Sequence, residues 1–274
     1  MPVYPSTDQL LDLFNWASPG MVVTDAAGAV VIANKAAHEL LGAHVATGAP
    51  IAATLGVTDY VELTATHLPV ENRPVRFADS DFVSGYANLG FGQVAGRAYG
   101  FWALRPVTDQ PAPGTKEAGH GPVTGAEWIG RVNRADAGYQ PVTAGSADLI
   151  KGFYDHCPVA IHLIEEDGTV GHANWKDIAL VGRTRSPEAY VGHHIRHIYA
   201  DQEVVDDFLG RWGEDAPIID FRADFLNGGE RVPVVIFSTA HVEDGTLKNT
   251  RCFVFPDNDP SRSRDRVATL DLSF

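Results

Sequence analysis

Residues 170 to 182 read VGHANWKDIALVG, and residues 30 to 42 read VVIANKAAHELLG. The same Ala-Asn pair enters an amphipathic run and closes on an aliphatic residue and glycine, 140 positions apart. Setting Ser18-Pro19-Gly20-Met21-Val22-Val23 against Cys157-Pro158-Val159-Ala160-Ile161-His162, with a one-residue insertion after it, extends the match: Gly28 meets Gly168, Asn34 meets Asn174 and Gly42 meets Gly182. An internal repeat of this length constrains the fold more than any other feature, because each copy must bury a core of its own.

The local chemistry reads the same way in both copies. Met21 to Asp25 and Ala160 to Ile164 are apolar strand candidates, Ala26-Ala27-Gly28 and Glu166-Asp167-Gly168 carry turn residues, and Ala29 to Ala33 and Thr169 to Ala173 return as strands. Asn34 and Asn174 then suit helix N-caps, since an Asn oxygen accepts from a free first-turn N–H, and Gly42 and Gly182 tolerate the positive φ of a helix stop.

Later in the second copy, Ser186 to Tyr190 reads as a helical turn. Asp201 to Trp212 carries Val204, Val205, Phe208, Leu209 and Trp212 at helical spacing. Ile218 to Phe225, Val232 to Val242 and Thr250 to Phe255 are strand candidates divided by Asn227-Gly228-Gly229 and Asp244-Gly245. The first copy closes with a helix near Asp59 to Leu68 and strands near Pro74 to Ala78, Phe82 to Phe91 and Ala95 to Val107.

The expected division is therefore a first domain over 1–107, a linker over 108–147 that is Pro/Gly-rich at its start, a second domain over 148–257 and a tail over 258–274. Ala126 to Val132 within the linker could add a short strand or helix. Leu10, Leu11, Leu13, Phe14 and Trp16 put an apolar stripe on an N-terminal helix capped by Ser6 or Thr7. Such a helix needs a partner surface, on its own sheet or on a second subunit.

The formal charge of -14 argues against nucleic acid or anionic lipid as main partner, because both call for clustered Lys and Arg. Two cysteines, Cys157 and Cys252, are too few for a disulfide framework, and no run of 18 apolar residues occurs. A soluble, cytoplasmic protein is expected.

The succession of hairpin, Ala-Asn, short helix ending in Leu-Gly, longer helix and three-strand closure resembles the PAS domain family. The resemblance rests on Val22-Val23-Thr24-Asp25, Ala33-Asn34 and Leu41-Gly42, and on His162-Leu163-Ile164, Asp167-Gly168-Thr169-Val170, Ala173-Asn174, Tyr190-Val191-Gly192 and Asn227-Gly228-Gly229. The first copy lacks a clear sequence counterpart of Tyr190-Val191-Gly192. The resemblance implies an α+β chain of two PAS-like domains, each a five-stranded antiparallel sheet with short helices on one face, and a ligand site between that face and the helices.

Six of the eleven histidines fall between residues 156 and 197: His156, His162, His172, His193, His194 and His197. By resemblance to haem-containing PAS domains, His197 and His194 are candidate axial ligands, and Tyr199 could also hold ferric haem. The same histidine-rich loop could equally be a polar turn anchored by Ile195 and Ile198. His162 and His172 lie on the two hairpin strands, where a buried histidine usually serves as a hydrogen-bonded core residue, and either face of the first strand could be the pocket side. Trp175, Phe208, Trp212, Phe221, Phe225 and Phe237 could line an apolar pocket or simply pack.

No nucleophile elbow, zinc-protease motif or phosphate loop occurs, and no Cys-x-x-Cys-His haem attachment. Cys157, beside His156 and presumed to be on a strand, reads as a core thiol. Two functions are expected to compete. One is a sensor that binds a small ligand or haem and signals through a homodimer or another partner. The other resembles haem PAS enzymes acting on nitramines such as N-nitroglycine, with Arg222, His162 or His172 steering substrate charge.

Overall fold

The computed structural model describes residues 4–55, 68–77, 84–106, 128, 132, 139–182, 187–212, 218–243 and 246–257. The first unit comprises α1 (Thr7–Asn15), β1 (Gly20–Asp25), β2 (Val30–Ala33), α2 (Lys35–Leu41), β3 (Val70–Arg76), β4 (Ser84–Val94) and β5 (Arg97–Pro106). The second comprises α3 (Ala147–His156), β6 (Ala160–Glu165), β7 (Val170–Ala173), α4 (Trp175–Leu180), α5 (Gln202–Trp212), β8 (Ile218–Asn227), β9 (Glu230–Glu243) and β10 (Thr246–Pro256). Each unit forms one antiparallel five-stranded sheet, ordered β2-β1-β5-β4-β3 and β7-β6-β10-β9-β8. The α+β expectation of two such sheets holds.

Both Asn caps form as expected. The Asn34 side chain accepts from Ala37 N at 2.9 Å and from Met21 N at 2.8 Å, and Asn174 accepts from Asp177 N at 2.9 Å and Ile161 N at 3.0 Å. One buried amide thus fixes both the first turn of a helix and the start of the preceding strand, which is why the motif recurs in both copies. Gly42 and Gly182 have φ of 63° and 68°, the left-handed conformation a stop requires.

The counterpart of Tyr190-Val191-Gly192 that the sequence hides is present in the backbone. Gly48 N donates to Val30 O and Ala49 N to Ala46 O, matching Gly192 N to Val170 O and His193 N to Tyr190 O. Ala46-Thr47-Gly48 therefore takes the place of Tyr190-Val191-Gly192. The hydrogen-bonding frame survives where the side chains diverge.

Each unit buries an inner core between its sheet and its helices. A third core joins the units. Leu10, Leu13 and Phe14 of α1, with Met21, Val23 and Phe101 of the first sheet, pack with Ile150 and Phe153 of α3 and with Ile161, Leu163, Phe237 and Phe253 of the second sheet. The N-terminal helix, held by a Ser6–Gln9 capping box, thus finds its partner surface within the chain. Its Asp12 carboxylate meets the buried Arg251 of β10 at 3.0 Å and His241 of β9 at 3.2 Å.

Reciprocally, α3 lies on β4. A Cβ on Gly90 would stand 2.1 Å from His156 O, and one on Gly92 2.4 Å from the His156 ring, so glycine permits this close approach. The His156 ring stacks on Phe101 at 5.7 Å.

One local reading changes. Cys157 caps the end of α3 rather than lying on a strand, because α3 runs to His156. Within the stretch expected to add a short strand or helix, Trp128 and Val132 are helical and belong to the first unit's inner core, with Trp128 Nε1 donating to Ser18 O at 3.1 Å, while the Pro/Gly-rich segment 108–122 lies outside the described residues. The expected helix over 59–68 falls almost wholly outside the described residues, as do the tail over 258–274 and the Asp244-Gly245 turn. Among the described residues no helix is long and apolar enough to cross a membrane.

Candidate functional site

Strand β6 alternates, and its two faces have different fates. Ile161 and Leu163 point into the core shared by the two units, whereas Ala160, His162 and Ile164 face the second unit's interior. Opposite His162 on the neighbouring strand is Cys252, and opposite it on the other side is Ala173. The first turn of α4, fixed by the Asn174 cap, turns Asp177 inward to the same place.

His162 Nδ1 and Asp177 Oδ1 are 3.0 Å apart, with both side chains removed from solvent. The Tyr190 hydroxyl lies 3.4 Å from the same nitrogen. Cys252 Sγ is 3.2 Å from Ser238 Oγ and 3.6 Å from Thr250 Oγ1. Burial alone would hold the His162 imidazole neutral, but the Asp177 carboxylate beside it, assisted by Cys252, outweighs burial and raises its pKa to about 10. At neutral pH the centre of this unit therefore holds an imidazolium–carboxylate pair.

Two atoms of the cluster have no hydrogen bond of good geometry, Asp177 Oδ2 and the Tyr199 hydroxyl. Tyr199 is fully buried, its ring 4.9 Å from that of Phe225 and 5.9 Å from that of Phe208. Burial, then the fields of Cys252 and Asp177, drive the Tyr199 pKa well above its ordinary value; burial and Asp177 do the same to Tyr190. Both phenols stay protonated and can donate. Unsatisfied buried polar groups cost about 1–3 kcal/mol each, so a folded core tolerates few of them without a purpose.

The first unit shows what this fold requires without such a cluster. Register pairs Val22 with Ala33 and Trp102, as His162 pairs with Ala173 and Cys252; Ala37 follows its Asn cap as Asp177 does. The bridge Leu55–Phe77 corresponds to Tyr199–Phe225. His162, Asp177, Tyr190, Tyr199 and Cys252 thus stand where the first unit has Val22, Ala37, Ala46, Leu55 and Trp102. The same architecture closes with apolar or small side chains, so the polar set is not a demand of the fold.

Of the residues expected from sequence to form a site, His162, Tyr199 and Phe208 come together in this interior. His172 is placed by alternation on the opposite face of the hairpin, paired with Leu163. His197 is exposed, its ring 6.4 Å from that of His193, and His194 uses Nδ1 to accept from Arg196 N at 3.2 Å, capping a 3-10 turn over Ile195–Ile198. Ile195 and Ile198 are buried beneath that turn, as the anchored-turn alternative describes.

Trp175 is 47% exposed on α4, and Arg222 is half-buried on β8. Trp212 ends α5, and its side chain lies outside the described residues. Asp177, Tyr190 and Cys252 are the members sequence inspection passed over. The helical register set by the Asn174 cap was the signal that could have found Asp177.

Haem does not fit the residues present. The expected ligands His197 and His194 lie at the surface or cap a turn, Tyr199 is wedged between two phenylalanines, and His162 is held by Asp177 with Tyr190 against it. Among the described residues no group of three or more His, Cys, Asp or Glu side chains is arranged to hold a metal ion. A cleft of about 10 Å³, room for one water, opens beside Tyr4, Tyr154, Asn174, Trp175 and Ile178. Tyr154, whose buried hydroxyl has no hydrogen bond of good geometry, stands on its wall, and none of the five cluster residues lines it.

Comparison with family models and with curated proteins finds no match. Among solved structures, a PAS domain of an HTR-like protein from Haloarcula marismortui is similar over 41% of this chain and 93% of its own, at 16% identity and a TM-score of 0.36. The PAS domain from Bordetella pertussis BvgS is similar over 43% and 90%, at 17% identity and 0.31. The blue-light photoreceptor Aureochrome1 LOV, in its light state, is similar over 40% and 88%, at 13% identity and 0.34. The fold assignment stands on strand order and helical cover. Two successive units, each with the order 2-1-5-4-3, an Asn-capped helix after the first hairpin and helices on one face, make the chain a tandem of one α+β fold, the arrangement that the resemblance to PAS domains implies.

Proposed function

We propose that the chain is a sensory module in which the second unit senses and the first relays. The reading is carried by one observation, that four positions held by Val22, Ala37, Leu55 and Trp102 in the first unit's interior are His162, Asp177, Tyr199 and Cys252 in the second, joined there by the buried Tyr190 where the first unit has the exposed Ala46. Polar groups that a fold does not need, and that it leaves partly unsatisfied, belong to recognition of a small polar molecule. The surrounding interior is filled by Ile195, Ile198, Phe208, Phe221 and Phe225, which limits the guest to a few heavy atoms.

The route outward follows from alternation on β6. Whatever shifts His162 shifts Ile161 and Leu163, which are part of the core shared with α1 and the first sheet. That core uses up the face of α1 that a homodimer would have needed, so the partner receiving the signal meets another surface. The two free, buried cysteines suit a reducing cytoplasm.

The test is native mass spectrometry of the protein as isolated and after incubation with a panel of small polar metabolites, beside a His162→Val/Asp177→Ala variant that copies the first unit. A mass excess in the natural chain that the variant lacks supports the reading. The same excess in both, or none with any compound, defeats it.

A further inference from the structure

Cys252 is not an ordinary core thiol. It faces the His162 imidazole across two paired strands, His162 is in turn held by Asp177, and Ser238 Oγ touches the sulfur at 3.2 Å. A thiol, an imidazole and a carboxylate in series is the arrangement that activates sulfur for nucleophilic attack. Independently, the buried Tyr199 hydroxyl and Asp177 Oδ2 have no hydrogen bond of good geometry, Tyr190 being the phenol that interacts with the Asp177 carboxyl. One can donate and the other only accepts. The molecule that satisfies both must itself carry an acceptor oxygen and an O–H or N–H.

We propose that Cys252 is a peroxide-reactive thiol, the reacting guest of the second unit being a small hydroperoxide. The proposal rests on the reading of this interior as a sensing site. A hydroperoxide supplies an oxygen for the Tyr199 hydroxyl and an O–H for Asp177 Oδ2, and hydrogen peroxide is small and neutral enough to enter a closed core through local opening.

In the reaction Cys252 Sγ attacks one peroxide oxygen, an S–O bond forms and the O–O bond breaks. The thiol proton ends on the departing oxygen, so a thiol and ROOH give a sulfenic acid and ROH. Sulfur is oxidised by two electrons and the peroxide is reduced by two. His162 acts as a positioning residue, its positive charge stabilising the negative charge that gathers on sulfur, and Asp177 keeps it in place.

The chain holds its own control. Cys157 is also buried, in the apolar core between the units, and burial pushes its thiol up to about 12. Exposure therefore does not separate the two cysteines. Their chemical surroundings do.

The full chain is treated with hydrogen peroxide in the presence of dimedone, and labelling at each cysteine is followed by peptide mass spectrometry. Cys252 is expected to label at least about tenfold faster than Cys157. His162→Gln and Asp177→Asn are expected to lower the Cys252 to Cys157 ratio, whereas mere loosening of the fold would raise labelling at both. Tyr199→Phe removes only a hydroxyl and keeps the test open should the other two fail to fold; it is expected to slow Cys252 several-fold. Equal labelling of the two cysteines, or an unchanged ratio in Tyr199→Phe, overturns the proposal. A peroxide-inert Cys252 in a protein that binds another small molecule would sink this proposal and spare the sensing reading; oxidation of Cys252 with no bound molecule found would do the reverse.

Discussion

His162 of β6 and Asp177 of α4 meet at 3.0 Å in the centre of the second unit, and the positions that correspond to them in the first unit are Val22 and Ala37. One chain therefore contains the same core solved twice, once with an ion pair and once without. Breaking one half of a buried pair leaves a charge with no counter-charge, which costs about 3–5 kcal/mol, whereas replacing both halves by apolar groups is often close to neutral. His162→Val and Asp177→Ala are each expected to destabilise by about that much, and the double variant by clearly less than the sum. Urea unfolding of the four proteins measures the coupling; simple additivity would show that the two side chains act independently.

The pair also sets a pH dependence. The folded pKa of His162 is raised from 6.5 to about 10, so its contribution is complete below the unfolded value and is lost as pH rises through the folded one. Stability of the natural chain relative to His162→Val should fall between about pH 6.5 and 10. Cys157 and Tyr190 are raised too, but they begin to weigh against folding only near the unfolded thiol and phenol values, around pH 9–10. Chemical denaturation from pH 6 to 9 therefore isolates the histidine. A difference that stays flat over that range would mean that His162 is neutral in the fold.

Gly90 is the tightest point of the contact between the units. A methyl group there meets His156 O at 2.1 Å and Pro158 Cδ at 2.9 Å, one of them backbone that cannot rotate away. Gly90→Ala is expected to cost at least the ~1–3 kcal/mol of ordinary overpacking and to loosen α3 from β4. Hydrogen exchange should report faster exchange in α3, while the inner core of the second unit keeps its protection. An unchanged exchange pattern would show that the helix can shift at no cost.

The third core makes the two units one cooperative body. Phe14 and Phe153 stack edge to face at 5.6 Å across it, each contributed by a different copy. Replacing either by Ala is expected to cost about 3–5 kcal/mol. The natural chain should unfold in a single calorimetric transition, and Phe14→Ala should split or broaden it. Two separate transitions in the natural chain would contradict the shared core.

Much of this architecture is legible in the sequence. The repeat, the hairpins, both Asn caps and the closing meander are local matters: a turn needs its glycine, a helix start needs its acceptor, and strands announce themselves by alternation. Even the polar face of β6 is half visible, since alternation along a strand puts His162 on the same side as Ala160 and Ile164. Which side of the sheet that group occupied, and which partners it met there, depended on residues up to ninety positions away.

Tertiary packing decided the rest. The histidine-rich loop drew attention by density, yet His194 spends its ring on a turn and His197 faces solvent, because only Ile195 and Ile198 are needed below. Asp177 is directed inward by the Asn174 cap, and Cys252 gains an imidazole only through the pairing of β6 with β10. Composition and periodicity fix what each short segment prefers to be; whether a polar side chain ends in water or beside another buried charge is settled when distant segments close on one another, since a charge can be buried only where its counter-charge is brought to meet it.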